Sequence, residues 1–182
     1  TGVHDPRRTL AVTFTNRAAG EMRARLAQLG VEGVQARTFH SAALRQLRYF
    51  WPKVFPGDAP ALLARKAPLV AEAAASIGLS TDATTVRDLA SEIEWAKAVL
   101  LTPEEYATNA HSRGRIAPSA LTYPDVARVM SLYAELLSSR RLMDFEEVLL
   151  LLLALLEEEP GLADEVRTQY RHFTVDEYQD VN

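Results

Sequence analysis

The sequence predicts an α/β fold in which a small parallel sheet is interrupted by a large all-helical insertion, so that most of the chain is helical. Apolar runs typical of buried strands lie near the two ends of the chain, at residues 10–16, 34–39 and 173–175. Between about residue 52 and residue 171 there is no strand signal, and apolar residues recur at helical spacing. The strands of one sheet therefore come from both ends of the sequence.

Length and composition fit one domain with an inserted subdomain. The chain has 182 residues, of which 48% are hydrophobic and 24% are charged. It has no cysteine, which excludes disulfides and thiolate metal sites. No apolar run approaches the ~20 residues that span a bilayer, and we predict a cytoplasmic protein that does not bind membranes. The predicted division is a first part of the sheet domain at 1–55, a helical subdomain at 56–140 and a return at 141–182.

Charge is unevenly distributed along the chain, although the net charge is only −4. Residues 17–48 carry a net charge of +4, and residues 144–182 carry a net charge of −9. The small negative total argues against a purely electrostatic nucleic-acid binder. The basic first third can nevertheless face phosphates, while the acidic last third can face a metal ion. Surface charge also segregates without function, so the pattern is supporting evidence only.

The first third of the chain has the order strand, helix, strand, which is typical of a βαβ unit with parallel strands. Asn16 is predicted to cap the helix, which Gly30 ends. Ligands gather at the carboxyl ends of such strands. These ends carry hydroxyl, amide, imidazole and aromatic side chains, namely Thr13, Phe14, Thr15, Asn16, Thr38, Phe39, His40 and Ser41.

Two interpretations of these strand ends are open. Hydroxyl and amide groups bind phosphate, and aromatic rings stack on bases, which favours a contact with nucleic acid. Alternatively, Phe14 and Phe39 belong to the core and the polar residues only cap helices.

The insertion is predicted to consist of helices joined by loops. A helix that His40 opens is expected to end at Trp51-Pro52, and a strong helix start follows at Thr102 with Pro103 and Glu105. A loop at residues 111–119 contains two arginines and no acid. The other helical patterns lie at residues 60–77, 85–100 and 126–136.

The last third of the chain combines a very apolar helix with an acidic strand end. Asp144 is predicted to cap this helix together with Glu147. The run 148–156 is apolar around the whole helix, which predicts burial on more than one side. The final strand then delivers Asp176 and Glu177 to the carboxyl edge of the sheet. In P-loop nucleotide hydrolases a strand-end Asp holds Mg²⁺ and a neighbouring group handles the attacking water, whereas Asp-Glu alone also fits a solvated turn.

Four segments resemble segments of the UvrD/Rep (PcrA-like) family of superfamily 1 ATP-dependent DNA helicases, and they follow one another along the chain as they do in that family. Asp-Glu-Tyr-Gln-Asp at 176–180 resembles motif II. Residues 13–22 resemble motif Ia, with Arg17 where lysine is commoner, and residues 38–41 resemble motif Ib. Residues 144–149 are similar to a family segment whose common form is Asp-Phe-Asp-Asp-Leu-Leu. The chain thus resembles part of the first motor domain, from motif Ia to motif II, with a RecA-like sheet of the P-loop NTPase type.

The resemblance implies an ATP-dependent helicase or translocase that moves 3′ to 5′ on DNA in repair or replication. It implies that Asp176 coordinates Mg²⁺ and that Glu177 deprotonates the water that attacks ATP. Gln179 would sense the nucleotide and couple it to DNA. The cofactors of the intact enzyme would be ATP and Mg²⁺, and neither is expected to bind the 182 residues alone.

For the DNA, the resemblance implies that residues 13–16 and 38–41 contact the single strand. The helical insertion would lie near a junction of single and double strands. Arg113 and Arg115 are candidate duplex contacts there, and a solvated flexible loop is the alternative.

The sequence contains no Gly-x-x-x-x-Gly-Lys-Ser/Thr, so it lacks the loop that cradles phosphates. We therefore expect the 182 residues alone to be inactive, and we expect both ends to continue into a larger protein. The alternative function is a non-catalytic module that binds DNA or docks proteins on a helicase scaffold. A different nucleotide hydrolase with a helical lid is disfavoured, because the segments 38–41 and 176–180 occur together.

Overall fold

The computed structural model describes residues 5–118 and 121–180 and divides the chain into two compact units. The first unit combines the residues up to Ala59 with those from Val148 onward, and the second spans Pro60–Glu147. Helices make up 62% of the chain and the sheets are small and parallel, which confirms the predicted fold class. The domain division at 55/56 and 140/141 stays a prediction.

The elements alternate between strands and helices near the ends of the chain and are mainly helical between. In chain order they are β1 (Thr9–Thr13), α1 (Asn16–Gln28), β2 (Gln35–Thr38), α2 (Phe39–Val54), β3 (Ala61–Leu62), α3 (Lys66–Ser76), α4 (Ala83–Ala98), α5 (Pro103–Asn109), α6 (Tyr123–Ser139), β4 (Leu142–Met143), α7 (Glu147–Glu158), α8 (Pro160–Gln169) and β5 (His172–Val175). Among the described helices, none combines the length and the apolar character of a membrane span.

The first unit is built on a three-stranded parallel sheet with the order β2-β1-β5. Thr13 of β1 lies opposite Thr38 of β2, and Val12 lies opposite Val175 of β5. The ladder extends one residue further, because the backbone N–H of Asp176 donates to the carbonyl oxygen of Val12 at 2.9 Å. All three strands therefore end at the same edge of the sheet.

Helix α1 follows β1 after a cap that differs from the predicted one. The hydroxyl oxygen of Thr15 accepts from the N–H of Ala18 at 3.1 Å, and Asn16 is the first helical residue. The prediction that Asn16 caps the helix is therefore wrong by one position, because a hydroxyl at the preceding residue already reaches the free N–H. The chain turns after the helix at Gly30, whose φ of 67° favours glycine.

Helix α2 is one turn longer than the sequence predicts. Thr38 and Ser41 cap it reciprocally, each side-chain oxygen accepting from the other residue's N–H at 3.1 Å. The helix then continues through Pro52 to Val54, so the predicted end at Trp51-Pro52 is wrong. Pro52 cannot donate to the carbonyl of Arg48, but both residues are exposed and water can satisfy that carbonyl.

The core of the first unit covers one face of the sheet. Leu10 and Val12 of β1 pack there with Ala42 and with Tyr170, the residue that follows α8. Phe39, Val166 and Val175 pack against this cluster. Both α2 and the end of α8 thus lie over the central strand.

Helix α7 buries a single stripe rather than several sides. Val148 and Leu155, which are seven residues apart on one helix face, are 1% and 3% exposed. Leu149 and Leu153 are 39% and 51% exposed. The predicted burial on more than one side is therefore wrong for the part of the chain that the structure describes.

The second unit is a helical subdomain with its own core. Helix α6 supplies buried residues that include Val126, Val129 and Tyr133, and α3, α4 and α5 pack around it. The predicted helix start at Thr102 is confirmed, since Thr102 and Glu105 form a reciprocal capping box with Pro103 at the first position. One feature was not predicted: β3 and β4 form a parallel pair of two residues each, so the unit is not entirely helical.

Candidate nucleotide and DNA site

The carboxyl edge of the sheet brings together the segments that follow the three strands. Thr13 and Thr38 end β1 and β2, and both are buried, at 1% and 9% exposure. Asp176 follows β5 directly and is half-buried. Because β1 is the central strand, the segment after it lies between the segments after β2 and β5. This edge is where ligands bind in open parallel sheets.

Two phenylalanines meet at this edge. The rings of Phe14 and Phe39 have centroids 5.2 Å apart and an interplanar angle of 47°. Phe39 is half-buried and packs against the core, whereas Phe14 is 44% exposed. Phe39 is therefore part of the core, whereas part of the Phe14 ring is accessible to a stacking partner.

Three polar side chains of the edge cap helices, and two further polar residues lie in the first turns of the same helices. The side chains of Thr15, Thr38 and Ser41 cap helices α1 and α2. Asn16 is exposed and His40 is half-buried, and each lies in the first turn of its helix. The helix N-termini place free backbone N–H groups at the edge, and such groups bind phosphate. The contact of these residues with DNA stays a prediction.

The turn after β5 has an unusual backbone. Glu177 has a φ of 52°, in the left-handed region that costs a non-glycine residue about 1–3 kcal/mol. Gln179 donates from its side-chain amide to Oε2 of Glu177. A 3-10 turn at Tyr178–Asp180 follows, and the side chain of Asp180 lies outside the described ones. Strained backbone of this kind clusters at functional sites, where the surrounding structure holds it.

Asp176 lies beside a cleft that helix α1 lines from the other side. The cleft has a volume of about 450 Å³, and Glu21, Met22, Arg25 and Asp176 are among its lining residues. The described residues include no group of three or more His, Cys, Asp or Glu side chains arranged to hold a metal ion. One carboxylate still fits Mg²⁺, which proteins usually hold with one or two carboxylates together with water and substrate phosphates.

The two arginines predicted to contact duplex DNA have different surroundings in the second unit. Arg115 pairs with Glu92, and its guanidinium lies 5.0 Å from the ring of Trp95. Glu92 is 4% exposed and also accepts from the Tyr106 hydroxyl at 2.8 Å. Arg113 is exposed. The loop itself has no acid, as the sequence indicates, but helix α4 supplies one to Arg115.

Burial, together with the hydrogen bond to Glu92, raises the pKa of Tyr106 well above its ordinary value. Tyr106 therefore remains a protonated donor to the carboxylate. Sequence reasoning missed this cluster, although Glu92 stands at helical spacing among the buried Leu89, Ile93 and Ala96 and carries that signal.

A second charged cluster lies around Asp144, which is 1% exposed. The predicted cap is confirmed: the N–H of Glu147 donates to Oδ1 of Asp144 at 3.0 Å, and the N–H of Asp144 donates to Oε2 of Glu147 at 3.1 Å. The other oxygen, Oδ2, lies 2.6 Å from Nζ of Lys97 and accepts from the Tyr133 hydroxyl at 3.1 Å. Nothing in the local sequence indicates the lysine, which is far away along the chain.

Comparison with known proteins gives one family for the whole chain. Residues 1–182 match the family model described as the UvrD/REP helicase N-terminal domain. The chain is 47% identical over 186 residues to the ATP-dependent DNA helicase UvrD2 of Mycobacterium tuberculosis (strain ATCC 25618 / H37Rv), which covers 94% of this chain. It is 31% identical over 183 residues to the ATP-dependent DNA helicase PcrA of Leuconostoc citreum, which covers 97% of it. These alignments span 26% and 23% of the two relatives, so the chain covers about a quarter of their length.

Proposed function

Because the chain belongs to the UvrD/REP helicase N-terminal domain family, we propose that it forms part of the first motor domain of an ATP-dependent DNA helicase or translocase. The observation that carries the proposal is the shared edge of the sheet. An acidic turn follows β5 there, and an aromatic and polar segment follows each of β1 and β2. One edge of one sheet can therefore hold both the acids that meet a nucleotide and the groups that meet a DNA strand.

On the nucleotide side, the turn after β5 supplies the acids. Asp176 would hold Mg²⁺, which neutralises charge on the phosphates when it is bound. Glu177 accepts the proton of the attacking water, as a carboxylate general base does. Gln179 donates to Oε2 of Glu177 and so limits the positions that this carboxylate can take. The remaining lone pairs of Glu177 stay open to water at this exposed position.

On the DNA side, the segments after β1 and β2 offer contacts of two kinds. Phe14 presents an exposed ring on which a base can stack, with Phe39 packed behind it. The first turns of α1 and α2 present backbone N–H groups and the side chains of Asn16 and His40 to phosphates. Such contacts are independent of sequence, which suits a protein that moves along a strand.

We extend the proposal to a motor that moves 3′ to 5′ in repair or replication and acts at junctions of single and double strands. The resemblance of residues 13–22, 38–41 and 176–180 to helicase motifs supports this extension. Arg113, in the exposed loop of the second unit, is the candidate that would meet the duplex. The 182 residues alone are expected to be inactive, because their sequence has no phosphate-cradling loop.

The test is phosphate release by the full-length protein, measured with ATP and Mg²⁺ in the presence and absence of single-stranded DNA. A motor of this type should hydrolyse ATP faster when the strand is bound. A protein that binds the oligonucleotide but neither binds nor hydrolyses ATP would contradict the proposal. That result would instead favour a non-catalytic DNA-binding module on the same scaffold.

A further inference from the structure

The side chain of Tyr170 lies across the central strand of the sheet, on the face that carries the core. Tyr170 enters β5 from α8, is 3% exposed, and packs with Leu10 and Val12 of β1. Its hydroxyl donates to Oε1 of Gln35, the first residue of β2, at 3.0 Å. β2 and β5 are the outer strands and do not pair with each other. Tyr170 thus connects them across β1.

The same hydroxyl is bonded to helix α2. Nε2 of Gln46 lies 3.3 Å from the Tyr170 hydroxyl and 3.3 Å from Oε1 of Gln169. Arg45, next to Gln46 on the helix, donates to the Gln35 amide oxygen at 2.9 Å. We call this group of five residues the polar brace; it consists of Gln35, Arg45, Gln46, Gln169 and Tyr170.

The polar brace is a buried network. Gln46 is 7% exposed, and its Nε2 atom donates to both Gln169 and the Tyr170 hydroxyl. Removing one member of such a network leaves buried polar groups without their partners, which costs about 1–3 kcal/mol each. The brace therefore fixes α2 relative to the segment that leads into β5.

Helix α2 links the polar brace to the DNA side of the edge. Phe39 opens the helix, and Gln46 lies seven residues later, which places the two on the same helix face. If a DNA strand displaced the first turn of α2, the hydrogen-bonded helix would carry the displacement to Gln46. Tyr170 would receive that displacement through its hydroxyl, and it lies two residues before β5, the strand that Asp176 follows.

We infer that Tyr170 is a positioning residue that couples DNA bound at the first turn of α2 to the acidic turn after β5. The inference rests on the proposed function, because it assigns a coupling role within that motor. Tyr170 touches neither the nucleotide nor the DNA in this scheme. Its effect passes through Gln46 on one side and through β5 on the other.

The test is Tyr170→Phe in the full-length protein, which keeps the ring and deletes the hydroxyl. We expect the rate of ATP hydrolysis without DNA, and the affinity for a fluorescent single-stranded oligonucleotide, to stay within about twofold of wild type. The maximal stimulation by the oligonucleotide should fall about fivefold or more, as expected for loss of a typical coupling between sites. Tyr49→Phe is the matched control, since the exposed Tyr49 on the same helix loses its hydroxyl bond to Glu165 but is not part of the polar brace.

A second variant separates coupling from stability. Gln46→Leu should reduce the stimulation to a similar degree, and the double variant should lose no more than either single one, because each breaks the same connection. Equal loss of stimulated and unstimulated rates, together with a lower melting temperature, would overturn the inference in favour of a purely structural role. Unchanged stimulation in Tyr170→Phe would overturn it too, while leaving the proposed function intact. If the wild-type protein shows no stimulation by DNA, both fall together.

Discussion

Oδ2 of Asp144 lies 2.6 Å from Nζ of Lys97 in the core of the second unit. The pair is well shielded, since the side chains of Asp144 and Lys97 are 2% and 17% exposed. Lys66 approaches the same oxygen at 3.9 Å and pairs with Glu146 at 2.7 Å. The charges thus hold α3 and α4 to residues 144–147, all within the second unit. Removing one member leaves the others buried without full compensation.

Lys97→Met should therefore destabilise the second unit by about 3 kcal/mol, the typical cost of breaking a buried ion pair from one side. Urea unfolding of the full-length protein, followed through tryptophan fluorescence, measures the loss, because Trp95 lies in this unit. Glu21→Gln is the control: its pair with Arg17 has side chains that are 67% and 89% exposed. Breaking this exposed pair should change stability by less than about 1 kcal/mol. Equal effects of the two substitutions would contradict the assignment.

Acid should remove the contribution of Asp144. Burial opposes its ionisation, but the charge of Lys97 and the hydrogen bond from it outweigh burial and hold the pKa of Asp144 below its ordinary value. A lowered folded-state pKa gives stability that is full above the unfolded pKa of about 3.9 and is lost as the pH falls through the folded one. The stability difference between wild type and Asp144→Asn should therefore be constant from about pH 7 to pH 5 and shrink below about pH 4. A difference that grows in acid would refute this sign.

Phe14→Ala should weaken binding of single-stranded DNA by about 1–3 kcal/mol, the usual cost of losing one stacked base, and should leave ATP affinity unchanged. Asn16→Ala should weaken it less, since one polar contact is lost. Titration of a fluorescent oligonucleotide at fixed salt measures both. Phe55→Ala is the matched control, because Phe55 is 39% exposed against 44% for Phe14. Phe55 follows the last residue of α2, whereas the edge of the sheet lies at the first residue of that helix. The same loss in the control would show that the edge is not the binding surface.

These residues also show how far the sequence alone can predict the site. The strands and the cap of α7 depend on local patterns, so the edge and the capping of α7 by Asp144 could be predicted from neighbouring residues. For α1 the same patterns indicate Asn16, one residue past the actual cap at Thr15. The partners of Asp144 and Arg115 could not, because Lys97 and Glu92 reach them from distant helices. Local sequence also does not reveal how many sides of α7 are covered. The sequence shows that α7 is apolar on all sides, but in the described part of the chain Leu153 is still half exposed.

Arg113 and Arg115 should behave differently when each is replaced by alanine. If the exposed Arg113 meets a phosphate, Arg113→Ala should reduce the salt slope, which is the slope of log affinity for duplex DNA against log salt concentration, by about one. The substitution should leave stability unchanged. Arg115→Ala should destabilise the second unit, because the buried Glu92 loses its cation. Arg87→Ala is the control for charge alone, since Arg87 is 73% exposed on α4. Identical salt slopes for Arg113→Ala, Arg87→Ala and wild type would rule out the contact with Arg113.

Glu177 has the left-handed backbone of the turn after β5 and is also the proposed general base. Glu177→Gln should keep ATP and Mg²⁺ binding and reduce DNA-stimulated hydrolysis by about 10²–10⁴-fold, because the amide has nearly the same shape but cannot accept a proton. Asp176→Asn should instead weaken Mg²⁺-dependent nucleotide binding, since it removes the charge that faces the ion. Calorimetry measures the binding, and phosphate release with and without single-stranded DNA measures the turnover. Glu159→Gln, an exposed acid between α7 and α8, controls for loss of one negative charge. Normal turnover in Glu177→Gln, with binding intact, would exclude Glu177 as the base.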